Sequence, residues 1–173
     1  MAETKTWGLD GTRLPLRQLA RVAYAAGPSW HDAQVLVRAV AVALAESQGF
    51  TRAWHDNFFQ DGLLESRDVG VWQINIPADQ VGTQTEEDLY DPAKNAAAAY
   101  KLYAARGFQP WVAYNTRVFL HDTYIQRAML GVVNFLAEGL LADAKAAGQV
   151  PVTRLPFVSI PELRKLYPTV PGL

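Results

Sequence analysis

Apolar residues recur at helical spacing along most of the chain, and this pattern predicts a mainly α-helical protein. Helices are predicted over residues 15–26, 30–47, 92–106 and 110–120, and a longer one from Asp122 toward Gly148. The helix at 92–106 has the clearest limits, since proline stands at its first position and glycine directly after it. The last helix is expected to be interrupted near Gly131 or Gly139, because glycine is a poor helix former.

The predicted helix over residues 30–47 has signals at both of its ends. Ser29 and Asp32 have the spacing of a capping box, so we expect the helix to begin near Trp30. Gly49 follows its last apolar residues and indicates where it stops. A helix with these limits is long enough to cross the interior of a small domain.

The same helix is predicted to be central and buried, and it carries a candidate acid in its last turn. Over residues 33–45 only Gln34 and Arg38 are polar, so most of its faces are apolar. Glu46 then lies where the negative end of the helix dipole opposes ionisation, and covering side chains would raise its pKa further by desolvation. Glu46 is therefore a candidate general acid. The alternative is a solvated glutamate paired with a nearby arginine.

Residues 50–80 are the least regular part of the chain and are predicted to hold a small hairpin with loops that border a cleft. Asp61-Gly62 is a turn signal. A short strand beyond it is indicated by the apolar residues Val69, Val71 and Ile74.

Polar residues accompany this short strand. Asp68 precedes it, and Gly70 suits a close approach of another part of the chain. Gln73 and Asn75 alternate to one face, where their amides could hydrogen-bond sugar hydroxyls or an N-acetyl group. A turn or capping role is the alternative for each of them.

Three segments resemble motifs of the lysozyme-like superfamily, and they occur in the family's order. Glu46-Ser47 resembles the Glu-Ser that carries the catalytic acid in c-type lysozymes and soluble lytic transglycosylases. The run Asp-Val-Gly-Val-Trp-Gln-Ile-Asn at 68–75 is similar to the Asp-x-Gly-x-x-Gln-Ile-Asn of the c-type lysozymes and to the Gly-x-x-Gln of the transglycosylases. Trp-Val-Ala-Tyr-Asn at 111–115 resembles a third motif of both groups.

The resemblance implies an α+β, mainly α-helical, lysozyme-like fold with a small β-hairpin lobe beside the catalytic cleft, formed by residues 1–148. It implies that Glu46 is the general acid/base and that Asp68 is the nucleophile or the stabiliser of the developing positive charge. It further implies contacts with the sugar substrate, or walls of its pocket, from Ser47, Gln73, Asn75, Trp111, Tyr114 and Asn115.

Three functions remain open at this point. The first is a muramidase that hydrolyses the β-1,4 bond between N-acetylmuramic acid and N-acetylglucosamine, and the presence of Asp68 favours it. The second is a lytic transglycosylase, in which Glu46 alone performs acid and base chemistry and the products carry 1,6-anhydro ends. The third is an inactive virion structural or wall-binding protein.

Composition narrows the classes of partner. The 173 residues suit one domain, and a net charge of −1 gives no electrostatic reason to expect nucleic acid. The chain has no cysteine, and its three histidines lack metal-ligand spacing, so neither a cofactor nor a metal is expected. No membrane span is predicted.

Residues 1–10 show no signal-peptide pattern, and we therefore expect a phage-derived protein that acts from the host cytoplasm or is carried in a virion.

Residues 149–173 differ from the rest of the chain and are predicted to be a proline-rich C-terminal tail. Five prolines in this segment exclude a long helix or a central strand. The tail is expected either to wrap along the domain's own surface or to dock on a phage tail or virion protein. Its anchors would be Phe157, Ile160, Leu163, Leu166 and Tyr167.

Overall fold

A computed structural model of the chain describes residues 6–146, with the side chains at 141 and 143–145 excepted. Six helices are present in this part: α1 Leu16–Ala26, α2 Ala33–Ser47, α3 Gln84–Leu89, α4 Pro92–Arg106, α5 Val112–Asn115 and α6 Asp122–Ala146. Four strands form one antiparallel sheet in the order β1 Trp7–Arg13, β2 Phe50–Phe58, β3 Leu64–Val69 and β4 Ile74–Pro77. The predicted α+β, mainly helical fold class is confirmed. The predicted tail at 149–173 and its boundary lie outside the described residues.

Helix α2 is the central helix, as predicted. Leu36, Val40 and Leu44 are fully buried, and the helix packs against α1 and α6. The predicted start near Trp30 is wrong, because Trp30 belongs to a separate 3₁₀ turn and lies buried in the core. Asp32 is itself the N-cap, and its carboxylate accepts hydrogen bonds from the backbone N–H groups of the first turn.

Helices α1 and α4 lie where the sequence predicts them, and α4 has both of its expected caps. The Asp91 carboxylate accepts hydrogen bonds from the N–H groups of Ala93 and Lys94 at 2.8 and 2.9 Å. Gly107 ends the helix with a φ of 60°, a conformation that glycine adopts at little cost.

Helix α6 differs from its prediction, because it continues through both internal glycines without a break. Gly131 has a packing role, since a Cβ at this position would lie 2.6 Å from the Leu16 carbonyl oxygen at the start of α1. The predicted helix at 110–120 is shorter than expected. It comprises only α5 and a 3₁₀ turn at Val118–Leu120, with Arg117 between them in a left-handed conformation at φ 61°.

The sheet is larger than the predicted hairpin, because the N-terminal segment adds β1 to its edge. The register places Trp7 opposite His55 of β2, His55 opposite Asp68 of β3, and Asp68 opposite Asn75 of β4. Side chains directly opposite one another share a face of the sheet. These four residues therefore form a row that crosses all four strands, called here the cleft row.

The single strand predicted around residues 69–75 is two strands joined by a tight turn. Gly70 and Gln73 have left-handed backbones, with φ of 77° and 48°. The fully buried Asn95 of α4 holds the turn, because its side chain accepts from the Trp72 N–H at 2.8 Å and donates to the Val69 carbonyl at 2.9 Å. The predicted close approach at Gly70 is confirmed, since a Cβ there would collide with the Asn95 amide.

Candidate active site

A cleft of about 390 Å³ lies between the C-terminal end of α2, the sheet and the start of α5. It brings together three of the residues predicted from the sequence, namely Glu46, Asp68 and Gln73. The remaining lining residues were not predicted and come mainly from β1 and β2: Trp7, Gly8, Leu9, Trp54, His55, Asn57 and Val112.

Glu46 lies in the last turn of α2, as predicted, and its carboxyl group is largely withdrawn from water. Oε1 accepts a hydrogen bond from the backbone N–H of Ala113 at 3.0 Å. Burial raises the pKa of Glu46 above its ordinary value of 4.5; the Ala113 N–H opposes this rise, and the negative charge of Asp68 adds to it. The net result is a carboxyl group that keeps its proton to higher pH than an ordinary glutamate.

Asp68 lies within β3, one residue before its end, rather than before a strand. Oδ1 accepts from the Asn75 side-chain amide at 2.9 Å, and Oδ2 accepts from the Asn57 amide at 3.0 Å. Ser66 lies on the same face and accepts from both amides. His55 Nδ1 lies 3.8 Å from Oδ2. These neighbours fix the orientation of the carboxylate, which stays partly open to solvent with 27% of its side-chain surface exposed.

Trp7 is at the edge of the cleft row, and 56% of its surface is exposed. Two strand spacings separate it from Asp68, or about 9.5 Å across the sheet. An exposed indole at the edge of a polar cleft offers an apolar face on which a ligand can stack. Nothing in its own sequence neighbourhood marks Trp7 as a site residue; only the pairing of β1 with β2 brings it to the cleft.

Gln73 and Asn75 do not share one strand face as predicted. Gln73 belongs to the turn, and its side-chain amide donates to the Gly70 carbonyl at 2.8 Å while the residue lines the cleft. Asn75 lies in the cleft row, and its amide donates to Asp68 and Ser66. Asn75 therefore positions the Asp68 carboxylate, and its predicted direct contact with a sugar stays a prediction.

Ser47 is buried, which corrects the prediction that it contacts the substrate; Trp111, predicted to wall the pocket beside Glu46, is buried as well. The Ser47 hydroxyl donates to the Val71 carbonyl at 2.7 Å and accepts from the Gly49 N–H at 3.1 Å, so it ties the end of α2 to the β3–β4 turn. The Trp111 ring N–H donates to the Trp72 carbonyl at 2.8 Å, and only 4% of the residue is exposed. Both residues hold the elements that carry the site.

Tyr114 and Asn115 do not line this cavity with Glu46 and Asp68, and their predicted place along the sugar cleft stays a prediction. They line a second cavity that shares no lining residue with the first. The Asn115 amide donates to the Gln109 carbonyl at 2.8 Å, and the Tyr114 ring stacks on Phe119 with centroids 5.1 Å apart.

Within residues 6–146, no group of three or more His, Cys, Asp or Glu side chains could hold a metal ion. Of the helices in that same range, none has the length and the apolar character needed to cross a membrane.

Residues 20–113, more than half of the chain, match the model of a family described as a lysozyme like domain. The chain therefore belongs to this lysozyme-like family. Such domains are typically glycosidases or lytic transglycosylases that act on peptidoglycan. The matched region contains both cleft carboxyl groups and ends at Ala113, the backbone donor to Glu46. No curated protein and no solved structure matches the chain.

Proposed function

We propose that the protein is a muramidase, which hydrolyses the β-1,4 bond between N-acetylmuramic acid and N-acetylglucosamine in peptidoglycan. The observation that carries this proposal is the pair of unlike carboxyl groups in one cleft. Glu46 is desolvated with a raised pKa, whereas Asp68 is partly exposed and held by amide donors. Glycosidases use such a pair as proton donor and as nucleophile or charge stabiliser.

Glu46 acts as the general acid. Because Oε1 accepts the Ala113 N–H, the proton of the neutral carboxyl group resides on Oε2. Oε2 donates that proton to the glycosidic oxygen as the bond to the sugar breaks, so the leaving sugar departs as a neutral alcohol. The same carboxylate then takes a proton from the incoming water as the water oxygen bonds to the anomeric carbon, which restores the acid for another turnover.

Asp68 faces the positive charge that develops on the sugar ring. Asn57 and Asn75 hold both of its oxygens in place, so the carboxylate needs no rearrangement as the charge appears. Its negative charge also raises the pKa of Glu46, so the two groups support each other's roles.

A lytic transglycosylase is the second candidate, and the family includes this activity. In that reaction the 6-hydroxyl of the sugar attacks in place of water, and Asp68 has no required role. The bonds that fix Asp68 within the cleft support the hydrolase over this alternative.

The test is digestion of purified peptidoglycan, followed by mass spectrometry of the released fragments. Reducing ends with the mass of added water are expected, and 1,6-anhydro ends would identify a transglycosylase instead. The Glu46→Gln variant should lose about 10²–10⁴-fold in rate, because its amide cannot supply the proton. Glu65→Gln is the matched control, since Glu65 is exposed on the opposite face of β3 from Asp68. Absence of cleavage by the wild type, or wild-type rates for Glu46→Gln, would contradict the proposal.

Thermal unfolding shows whether Glu46→Gln remains folded, and its pH dependence has a definite sign. Because the folded state raises the pKa of Glu46 above 4.5, ionised Glu46 destabilises the fold at pH values above its folded pKa. Gln carries no such charge. The variant should therefore have a higher Tm than the wild type at neutral pH, and this difference should vanish below pH 4.5.

A further inference from the structure

Three arginines from separate elements surround the second cavity, which has a volume of about 600 Å³ and is called here the arginine cavity. Arg38 belongs to α2, Arg106 is the last residue of α4, and Arg117 follows α5. All three are exposed. The left-handed backbone of Arg117 is uncommon for a residue other than glycine, and it turns the chain at the border of this cavity.

The charge of the arginine cavity is not compensated by the described chain. No acidic residue lines it, and none of its three arginines forms an ion pair within residues 6–146. Four other arginines of residues 6–146 each contact a carboxylate, namely Arg17, Arg21, Arg52 and Arg67, while Arg13 and Arg127 form no ion pair in that range. Three positive charges around one cavity repel one another, although solvent screens them, and an anion bound between them removes this cost.

The arginine cavity lies next to the catalytic cleft, and helix α5 contributes to both. Val112 lines the cleft, the Ala113 N–H holds Glu46, and Tyr114 lines the arginine cavity. Arg38 and Glu46 are both on α2, eight residues apart in the sequence. At 1.5 Å per residue this places their backbones about 12 Å apart along the helix.

We propose that the arginine cavity binds the carboxylates of the stem peptide that the glycan substrate carries. This inference rests on the proposed action on peptidoglycan. N-acetylmuramic acid bears the peptide on its lactyl group, so the branch begins beside the bond that is cut. About four extended residues span 12 Å, which is the length of such a peptide. The planar guanidinium forks of arginine match carboxylates with two parallel hydrogen bonds.

The floor of the arginine cavity suits the rest of a peptide. The Tyr114 ring is half-buried and packs between Phe108 and Phe119, with centroids 5.2 and 5.1 Å away. The partly exposed Tyr114 ring and Leu120 offer an apolar surface to aliphatic parts of the ligand, and the Asn115 side chain lies at the same cavity. The cavity therefore combines cationic and apolar surface, as an acidic peptide requires and a small inorganic anion does not.

The experiment compares two substrates, glycan strands with their stem peptides and the same strands after an amidase has removed the peptides. The wild type should cleave the peptide-bearing strands with a kcat/KM roughly tenfold higher, because charged hydrogen bonds to carboxylates are lost with the peptide. The triple variant Arg38→Gln/Arg106→Gln/Arg117→Gln should cleave both substrates at the rate seen for bare strands. Lys101→Gln is the control, since it removes one positive charge from an exposed part of α4.

A second readout measures binding without cleavage. Calorimetry with the synthetic tripeptide L-alanyl-γ-D-glutamyl-diaminopimelate should detect binding to the wild type and to Lys101→Gln, and none to the triple variant. A wild type that cleaves both substrates equally, or a triple variant that keeps the preference, overturns the inference and leaves the muramidase proposal standing. If the wild type cleaves neither substrate, the proposed activity fails, and tripeptide binding then decides the inference alone.

Discussion

The two faces of the sheet surround their charged groups differently. On one face Arg67 lies between two carboxylates. On the other face the Asp68 carboxylate accepts hydrogen bonds only from side-chain amides, and an imidazole lies nearby. The Arg67 guanidinium donates to Asp56 and, at 3.0 Å, to Glu86, and it stacks over Trp54 at 4.6 Å. Neighbouring residues of a strand point to opposite faces, so Arg67 and Asp68 take part in separate networks. One network pairs its charges, and the other keeps a negative charge facing the cleft.

The pKa directions of two glutamates follow this difference. Burial opposes ionisation of Glu86, but the Gly82 N–H, the Tyr90 hydroxyl and Arg67 together lower its pKa. Burial raises the pKa of Glu46, and the Asp68 charge raises it further. Both carboxyl groups are withdrawn from water, yet one is stabilised as an anion and the other as an acid. The hydrogen bonds to Glu86 outweigh its burial, whereas the single Ala113 N–H does not outweigh the burial of Glu46, and the partner charges act in the same two directions.

Among variants of the sheet, the largest effect is expected from removing the charge of Asp68. Asp68→Asn should lower the cleavage rate on the order of 10²–10³-fold, because the developing positive charge on the sugar loses its counter-charge. Its effect on the melting temperature should be small, since Asp68 makes no pair with arginine or lysine in the described chain. Asp56→Asn on the other face is the matched control and should lose stability rather than activity. Steady-state rates of wall digestion that remain above half of the wild-type value would reject this role for Asp68.

A loss of stability, rather than of activity, is expected from a change on the sheet face where Arg67 pairs with two carboxylates. Arg67→Met should lower the free energy of unfolding by about 3 kcal/mol, because Asp56 and Glu86 are left without their cation in a largely buried setting. Arg52→Met is the control, since the Arg52–Glu87 pair is exposed to solvent and its loss should cost much less stability. The folded state lowers the pKa of Glu86, so this stabilisation is present above pH 4.5 and is lost as pH falls through its folded pKa. Equal losses from both variants in urea unfolding would contradict the contrast between the two networks.

A smaller effect is expected at the edge of the cleft row. Trp7→Ala should raise the KM for glycan strands roughly three- to tenfold and leave kcat nearly unchanged, because a sugar ring loses its stacking surface far from the reacting bond. Trp7→Phe should recover most of the binding. Phe58→Ala is the control for loss of an exposed aromatic residue of the sheet, since Phe58 does not line the cleft. A KM unaffected by Trp7→Ala would exclude this residue from substrate binding.

The sequence predicts the helices better than the sheet, and the reason is the range of the interactions. Caps such as Asp91 act within three or four residues, so they are visible as local patterns. Strand β1 contains two glycines and few apolar residues, and it exists because β2 pairs with it from about 40 positions away. The β3–β4 turn depends on Asn95, which is 23 residues from its partner Trp72. Neither interaction leaves a local signal.

The residues of the candidate site differ in the same way: some lie in local sequence motifs, and others reach the site only through long-range contacts. Glu46 and Asp68 could be predicted, because each lies in a short motif that resembles those of a known family. Trp7 and His55 reach the cleft only through strand register, and the arginine cavity arises from three helices that converge. Ser47 was predicted as a substrate contact, and Trp111 as a wall of the pocket, because they belong to those motifs. The burial of Ser47 shows that a motif residue can hold the site without touching its ligand.

The most direct test is a pH titration of Glu46 in the wild type and in Asp68→Asn. Carbon-13 NMR of the Glu46 side-chain carboxyl group gives its pKa in each protein. The wild-type pKa should lie above 4.5, because desolvation opposes ionisation and the Asp68 charge opposes it further. In Asp68→Asn it should be lower than in the wild type, though still raised by burial. A wild-type pKa at or below 4.5, or one that does not fall when the Asp68 charge is removed, would contradict the assignment of Glu46 as an acid whose pKa is raised by burial and by its neighbour.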